Sequence, residues 1–232
     1  MTDNTVNEAQ AKVAIRIWDL PLRLFHVCFA LSVIGAIAAV KLSDDMMDWH
    51  VRLGIISLAL LVFRLAWGFV GSYYSRFSQF VNSPAATLRY LRSTKPAKQK
   101  TAGHNPLGSW SVLAMLLIIG IQATTGLFTS DHILTEGPLV SYVSQATSKL
   151  LTKIHHLNEK PLYFILALHL LAILVYTLRG HGLIRPMLSG DVPAERLPPA
   201  TIAACDTMAL RLLALVIAVV IGCGAYYLLQ LS

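Results

Sequence analysis

The sequence predicts an all-α integral membrane protein, with a four-helix transmembrane bundle and a fifth transmembrane helix at the C-terminus. Of its 232 residues, 55% are hydrophobic and only 13% are charged, and the mean hydropathy is +0.60. Soluble domains carry about 25% charged residues, so a soluble fold of this composition would lack the polar surface to cover itself. Five long apolar stretches and an uneven distribution of basic residues lead to the same class.

Each apolar stretch approaches or exceeds the roughly 20 residues with which a helix crosses a bilayer core. The stretches occupy residues 22–42, 50–71, 107–128, 161–178 and 208–231. An Ala-Ile-Ala sequence at 36–38 resembles a signal-peptide cleavage site, but the apolar run before it is long for a signal peptide. We therefore expect all five stretches to be transmembrane helices.

The basic residues predict the orientation of these helices. With a cytoplasmic N-terminus and a periplasmic C-terminus, twelve Lys and Arg residues fall on the inside and three on the outside, which follows the positive-inside rule. The inside group is Lys12, Arg16, Arg23, Arg76, Arg89, Arg92, Lys95, Lys98, Lys100, Arg179, Arg185 and Arg196. The outside group is Lys41, Lys149 and Lys153, of which Lys149 lies in a predicted external loop at 129–152.

Composition also excludes some classes of function. The net charge of +7 does not indicate nucleic-acid binding, because the basic residues form no stripe interleaved with aromatic side chains. Cys28, Cys205 and Cys223 stand singly, and no C-x-x-C-H sequence is present to attach a haem covalently. A metal cofactor in this chain would therefore be held by histidine.

Four histidines form two pairs at matched membrane depths. His155 and His169 are fourteen residues apart, which corresponds to about 21 Å of helical rise and a difference of about 40° in direction. They therefore share one face of the fourth helix, whereas His156 points elsewhere. By depth, His26 in the first helix matches His169, and His50 in the second helix matches His155. Two bis-histidine pairs in a helical bundle are typical of two non-covalently bound b-type haems.

Arg64 lies fourteen residues after His50, on the same face of the second helix and at the depth of the cytoplasmic-side pair. A buried arginine in a membrane needs an anionic partner, and a haem propionate would provide one. Two other histidines, His132 and His181, fall in loops.

Several sequence stretches carry a family resemblance. They are WDLPLRLFH at 18–26, the sequence from His50 to Phe80, GHNPLG at 103–108, TTGLF at 124–128 and IHHLNEKPLYFILALH at 154–169. Together they resemble the bacterial dihaem b-type cytochromes that serve as membrane subunits of nickel–iron hydrogenases, with relatives in formate dehydrogenase. The resemblance implies a four-helix dihaem domain at 17–190. The composition predicts a polar tail at 1–16 before it and a linker with the fifth helix at 191–232 after it, which goes beyond the four-helix core of the simplest relatives.

The resemblance also implies a function in the bacterial inner membrane. Such proteins transfer electrons between a periplasmic redox partner, such as a hydrogenase, an iron–sulfur protein or a c-type cytochrome, and the quinone pool. In the formate dehydrogenase relative, an asparagine at the start of the third helix lies beside a cytoplasmic-side quinone site. Asn105 occupies the corresponding place here, next to His104, whose side chain titrates near neutral pH and could pass protons. Asn105 before Pro106 is also typical of a simple helix cap.

Two alternatives remain open from the sequence. A stand-alone oxidoreductase of a small molecule such as superoxide would have a polar crevice near the outer haem, where Arg52 or Lys160 could line it. A haem-free transporter lined by histidines is a more distant alternative, because transporters often have interrupted helices at matched positions. The helices here show no such repeated Gly or Pro interruption.

Overall fold

The computed structural model describes residues 13–93, 100–130 and 136–231. In chain order its helices are α1 (Leu20–Leu42), α2 (Met47–Val70), α3 (Phe77–Phe80), α4 (Pro84–Arg92), α5 (Pro106–Gly126), α6 (Gln145–Leu178), α7 (Ile184–Ser189) and α8 (Met208–Leu231). Within the described ranges, five of them, α1, α2, α5, α6 and α8, are long and apolar enough to cross a bilayer. The predicted all-α membrane architecture is therefore confirmed.

The fourth spanning helix is longer than predicted. α6 contains 34 residues, so it is about 51 Å long, whereas a bilayer core is about 30 Å thick. Its N-cap is Ser144, whose side chain accepts a hydrogen bond of 3.2 Å from the backbone N–H of Thr147. Residues 145–152 therefore do not belong to an external loop, and that part of the prediction is wrong. Polar side chains end the apolar run at this point without ending the helix.

Side-chain caps fix where two of the spanning helices begin. Asp19 accepts a 2.8 Å hydrogen bond from the backbone N–H of Leu22 at the start of α1. Asn105 accepts a 2.7 Å bond from the backbone N–H of Gly108 at the start of α5. Each cap is followed within two residues by a proline, which has no N–H to satisfy and is preset for the first turn of a helix.

A short antiparallel sheet joins the segment before α1 to the linker before α8. β1 (Ala14–Arg16) pairs with β2 (Asp191–Pro193), and Arg16 lies opposite Asp191. The predicted tail at 1–16 is therefore wrong for its last three residues, which are paired with the linker. Several residues used in the orientation and loop predictions lie outside the described ranges: residues 1–12, Lys95, Lys98 and His132.

The bundle has two ends, which we name by their contents. The sheet end carries β1, β2, the start of α1 and the end of α6, and the far end carries the connection between α1 and α2. The most extensive helix pairings are α1 with α2, α5 with α6, α2 with α8 and α2 with α5. A buried cluster of Leu22, Phe25, Phe63, Trp67 and Ala214 fastens α8 to α1 and α2 near the sheet end.

Candidate functional site

The structure brings together both predicted histidine pairs. The ring centres of His26 and His169 are 6.4 Å apart, and those of His50 and His155 are 6.2 Å apart. The first pair joins α1 to α6 towards the sheet end, and the second joins α2 to α6 towards the far end. Neither helix pair is among the most extensive backbone pairings of the bundle. The histidine rings therefore face each other between helices that are otherwise set apart.

These two separations match the geometry of one metal ion held between two imidazoles. A metal–imidazole bond is about 2.0 Å long and a ring nitrogen lies about 1.1 Å from the ring centre, so rings on opposite sides of one metal have centres about 6.2 Å apart. Each pair offers only two protein nitrogens. A metal there must take its other ligands from elsewhere, as the iron of a haem takes four from its porphyrin.

Backbone and amide groups orient the far-end rings. His50 Nδ1 lies 2.8 Å from the carbonyl oxygen of Ala36, and donation to that oxygen leaves Nε2 as the ligand atom. His155 Nδ1 lies 3.0 Å from the carbonyl oxygen of Gln122. The Gln122 amide nitrogen also lies 3.1 Å from His155 Nε2. This amide must turn away before His155 Nε2 can bind a metal.

The Gln122 amide is itself held in place. Asn158 donates from its side-chain nitrogen to Gln122 Oε1 at 2.8 Å and to the carbonyl oxygen of Ile118 at 2.9 Å. Nearby, a Cβ added to Gly126 would come within 3.1 Å of the His155 ring, so a larger residue there would require the ring to shift by a few tenths of an ångström. His156 is exposed, as its helical direction predicts.

Arg64 is buried at the sheet end and forms no ion pair within the described part of the chain. The residue is 3% exposed, and its Nη1 atom has no hydrogen-bond partner among the described residues. The guanidinium lies over the rings of Phe77 and Phe80, at 4.9 and 5.6 Å from their centres. Cation–π contacts offset only part of the cost of burying a charge, so this position favours an anionic group such as a propionate.

Asp19 is the acidic residue that acts on Arg64 electrostatically, and sequence analysis missed it. Its carboxylate is 1% exposed and accepts hydrogen bonds from the Trp67 indole, at 3.1 Å, and from the hydroxyls of Ser72 and Ser75. It therefore joins the start of α1 to the end of α2. An Asp two residues before a proline, at the start of an apolar run, is a recognisable helix-start signal that could have identified it.

His104 lies against Trp18 and Phe80, with ring-centre distances of 4.9 Å to each. Its Nδ1 atom is buried and has no hydrogen-bond partner in the described part of the chain. Burial, with a smaller contribution from the charge of Arg64, lowers the pKa of His104 to about 4. The side chain is therefore neutral at pH 7, and the expectation that it titrates near neutrality is wrong for this environment.

A pocket of about 280 Å³ opens beside His104 at the sheet end. Its walls come from three parts of the chain: the segment after α2, the segment before α5, and the linker that leads to α8. The lining residues are Tyr73, Tyr74, Gln79, Phe80, Ala102, His104 and residues 198–202. The lining combines the aromatic rings of Tyr73, Tyr74 and Phe80 with polar side chains such as Gln79 and Thr201, which suits a flat ligand with polar groups at its edge.

The Asn105 side chain caps α5 and does not line the pocket. Its Oδ1 caps α5, and its Nδ2 donates to the Tyr176 hydroxyl at 3.0 Å. Tyr176 is also hydrogen-bonded to Tyr90, and burial together with that bond raises the pKa of Tyr90 to about 12. The structure therefore brings His104, but not Asn105, to the pocket wall. The cap interpretation of Asn105 is confirmed.

Arg52 and Lys160 were the sequence-based candidates for a crevice near the far end. Arg52 is exposed, and its guanidinium lies 6.0 Å from the centre of the Trp49 ring. Lys160 is also exposed. Their positions suit cationic side chains that reach the membrane–water interface.

Comparisons with known proteins agree with this architecture. A sequence-family model described as prokaryotic cytochrome b561 matches residues 17–190, which include all four paired histidines, Arg64, His104 and Asn105. No curated protein and no solved structure matches the chain. The matched residues end just before β2, so the linker and α8 lie beyond them.

Proposed function

The chain belongs to the prokaryotic cytochrome b561 family of bacterial membrane cytochromes, and from that premise we propose that it is a dihaem electron-transfer subunit. It transfers electrons across the inner membrane between a periplasmic redox partner and the quinone pool. The observation that carries the proposal is the pair of ring separations, 6.4 and 6.2 Å, each of which suits one iron between two imidazoles.

The four paired histidines would hold two b-type haems through their irons. His26 and His169 would hold the sheet-end haem, and His50 and His155 would hold the far-end haem. When bound, the haem irons supply one-electron redox chemistry that side chains lack. Arg64 offers a buried positive charge to a propionate of the sheet-end haem, and Phe77 and Phe80 keep water from its guanidinium.

The sheet end is the proposed quinone side. The pocket beside His104 offers aromatic side chains to a flat quinone ring, and neutral His104 has a ring nitrogen with no other partner among the described residues. Such a nitrogen can exchange a hydrogen bond with a quinone oxygen or a quinol hydroxyl. Asn105 acts indirectly, because it fixes the helix start that follows His104. Interconversion of quinone and quinol takes two electrons and two protons, so the pocket must also communicate with water.

The orientation proposed from the basic residues places the sheet end in the cytoplasm. Arg16, Arg23 and Arg179 lie at this end, whereas Lys41 lies at the far end and is paired there with Glu159 at 2.7 Å. The N-terminus is then cytoplasmic and the C-terminus periplasmic. The far end, with the projecting first turns of α6, faces the periplasmic electron-transfer partner.

Absorption spectroscopy of the purified protein tests the proposal. We expect a Soret band with a sharp α-band on reduction, and two haems per chain by pyridine haemochrome quantification. The reduced protein should be reoxidised by a short-chain quinone. A folded but colourless protein would exclude haem-based electron transfer. The histidine-lined transporter would then be the leading alternative. Rapid reduction of the oxidised protein by superoxide, with no protein partner present, would favour the stand-alone oxidoreductase.

A further inference from the structure

The C-terminal extension, residues 191–232, lies beyond the residues that match the family, yet it is attached firmly to the sheet end. Arg16 is central to this attachment: its guanidinium binds Asp191 at 2.6 Å and Asp206 at 3.0 Å. Its carbonyl oxygen accepts a bond from the backbone N–H of Ala204. Because these contacts lie on both sides of residues 198–202, they hold that segment against the bundle.

Residues 198–202 form one wall of the pocket that contains His104. The Tyr74 hydroxyl donates a 2.8 Å hydrogen bond to the carbonyl oxygen of Ile202 and so fixes the end of this wall. Leu197, just before the wall, is 4% exposed and packs with Ile17 and Tyr74. The wall is therefore anchored at both of its ends.

The backbone of the wall is strained at Ala200. Its φ angle is 60°, in the left-handed region that is unfavourable for a residue with a Cβ atom. Strain of this kind persists only where the surrounding contacts enforce it, and it often marks a binding site. Across this turn, the Thr201 hydroxyl donates a 2.7 Å hydrogen bond to the carbonyl oxygen of Pro198. The contacts of Tyr74 and Leu197 hold the two ends of the segment.

We propose that the C-terminal extension completes the quinone pocket, with residues 198–202 as the wall that limits the size of the bound ring. The inference rests on the proposed function, because the ligand class is the quinone assigned to this end. A volume of about 280 Å³ is just below the usual range for ligand pockets. The pocket therefore takes one headgroup ring and leaves the isoprenoid tail in the lipid.

The wall is also connected to the fifth spanning helix. α8 begins at Met208, six residues after the wall, and Ala214 is buried against α1 and α2. The salt bridge from Arg211 to Asp206, at 3.0 Å, ties the first turn of α8 to the same aspartate that binds Arg16. α8 thus serves as the anchor of the wall.

Substitution at Thr201 in the haem-loaded, full-length protein tests this inference. In the series Thr201→Val, Thr201→Leu and Thr201→Trp, every variant loses the hydroxyl bond to Pro198. Val keeps the size of Thr and is therefore the baseline, whereas Leu and Trp fill the pocket progressively from the extension side. The probes are ubiquinone-1 and menadione, and the dissociation constant is measured by equilibrium dialysis with the oxidised protein. We expect little change for Val, a several-fold weaker affinity for Leu, and at least a tenfold weaker affinity for Trp. Both haem spectra should persist.

Ala203→Trp is the matched control, because Ala203 is exposed on the same segment and does not line the pocket. Its dissociation constants should stay within twofold of the parent protein. If the Thr201→Trp variant does not fold, Thr201→Leu carries the test alone. Equal affinities across the Thr201 series would overturn the proposed wall.

Phe80→Ala separates this inference from the proposed function. If Phe80→Ala weakens quinone binding while the Thr201 series does not, the pocket binds quinone and only the role of the extension is wrong. If neither site affects binding of a quinone that the protein does bind, the pocket is not the quinone site and both statements fail. If the protein binds neither probe, the quinone function itself fails.

Discussion

The two histidine levels have opposite surroundings. At the sheet end, His26 and His169 lie near a buried arginine, a buried aspartate and a pocket with aromatic walls. At the far end, the contacts of His50 and His155 are neutral amide and carbonyl groups, chiefly those of Gln122 and Ala36. The sheet-end level has buried charges and a neighbouring pocket. The far-end rings are held by neutral groups, and the nearest ion pair there, Lys41 with Glu159, is partly exposed.

This difference shows how histidine pairs of the same kind can lie in two different electrostatic environments. The proposed ligands are histidines at both levels, so ligand type cannot by itself distinguish two haems bound there. Charges near a redox centre change its potential, whereas neutral hydrogen-bonding groups mainly fix its geometry. We therefore expect substitutions at the sheet end to change potential and ligand exchange, and substitutions at the far end to change haem binding.

The largest expected effect is the loss of one haem at a chosen level. His169→Ala should remove the sheet-end haem and His155→Ala the far-end haem, because each iron would keep a single protein ligand. Pyridine haemochrome quantification should fall from two haems per chain to one. His156→Ala is the control and should retain both haems, since its side chain is exposed. Loss of a haem in the control would contradict the assigned helical face.

Arg64→Leu tests the contribution of charge at the sheet end. Removing a buried positive charge favours the oxidised haem, so the potential of one haem should fall by on the order of 50–100 mV while the other stays constant. Redox titration monitored in the α-band measures both values. Arg64→Lys keeps the charge and should shift the potential less. Equal shifts at both haems would show that Arg64 does not distinguish the two levels.

Gln122→Leu tests the far end. The Gln122 amide is hydrogen-bonded to the nitrogen of His155 that must bind iron, so its removal should strengthen haem binding there by roughly 2- to 10-fold, the value of one hydrogen bond. Haem titration into the apoprotein measures the affinity of each site. A weaker far-end site would show instead that the amide supports the bound state.

Asn105→Ala should have the smallest effect. It removes the cap of α5, which costs about 1 kcal/mol of stability, and the hydrogen bond to Tyr176. Thermal unfolding in detergent, followed by circular dichroism, measures the loss, and both haem spectra should be unchanged. Asn105→Ser keeps a capping oxygen and should recover most of the stability. A strong loss of quinone affinity in Asn105→Ala but not in Asn105→Ser would assign Asn105 a direct role.

The sequence was informative where the structural signal is local. The apolar lengths of the spans and the fourteen-residue spacing of His155 and His169 depend only on helical geometry, so the five helices and both ring pairs could be predicted. The first turns of α6 were missed because their polar side chains continue a helix beyond the apolar run. Gln122 was also missed, although a polar residue within an apolar span is a signal for function.

The pocket could not be predicted from such local signals. Its walls come from segments near residues 74, 104 and 200, which are brought together by long-range contacts such as the hydrogen bond between Tyr74 and Ile202. No periodic pattern in the sequence predicts that these three segments pack together. The family resemblance pointed to Asn105 because it marks the correct helix start, but the side chain beside it, His104, is the one that reaches the pocket.

The pairing of β1 with β2 has a consequence for the order of assembly. The partner carboxylate of Arg16 lies 175 residues later in the chain, so β1 emerges from the ribosome long before its partner strand exists. At about 5–20 residues per second, the wait is roughly 10–35 seconds. The first four spanning helices are synthesised within that time, whereas the sheet closes only after them. Closure of the sheet is therefore a late step of biogenesis, and a chain that stops before residue 191 leaves its first strand without a partner.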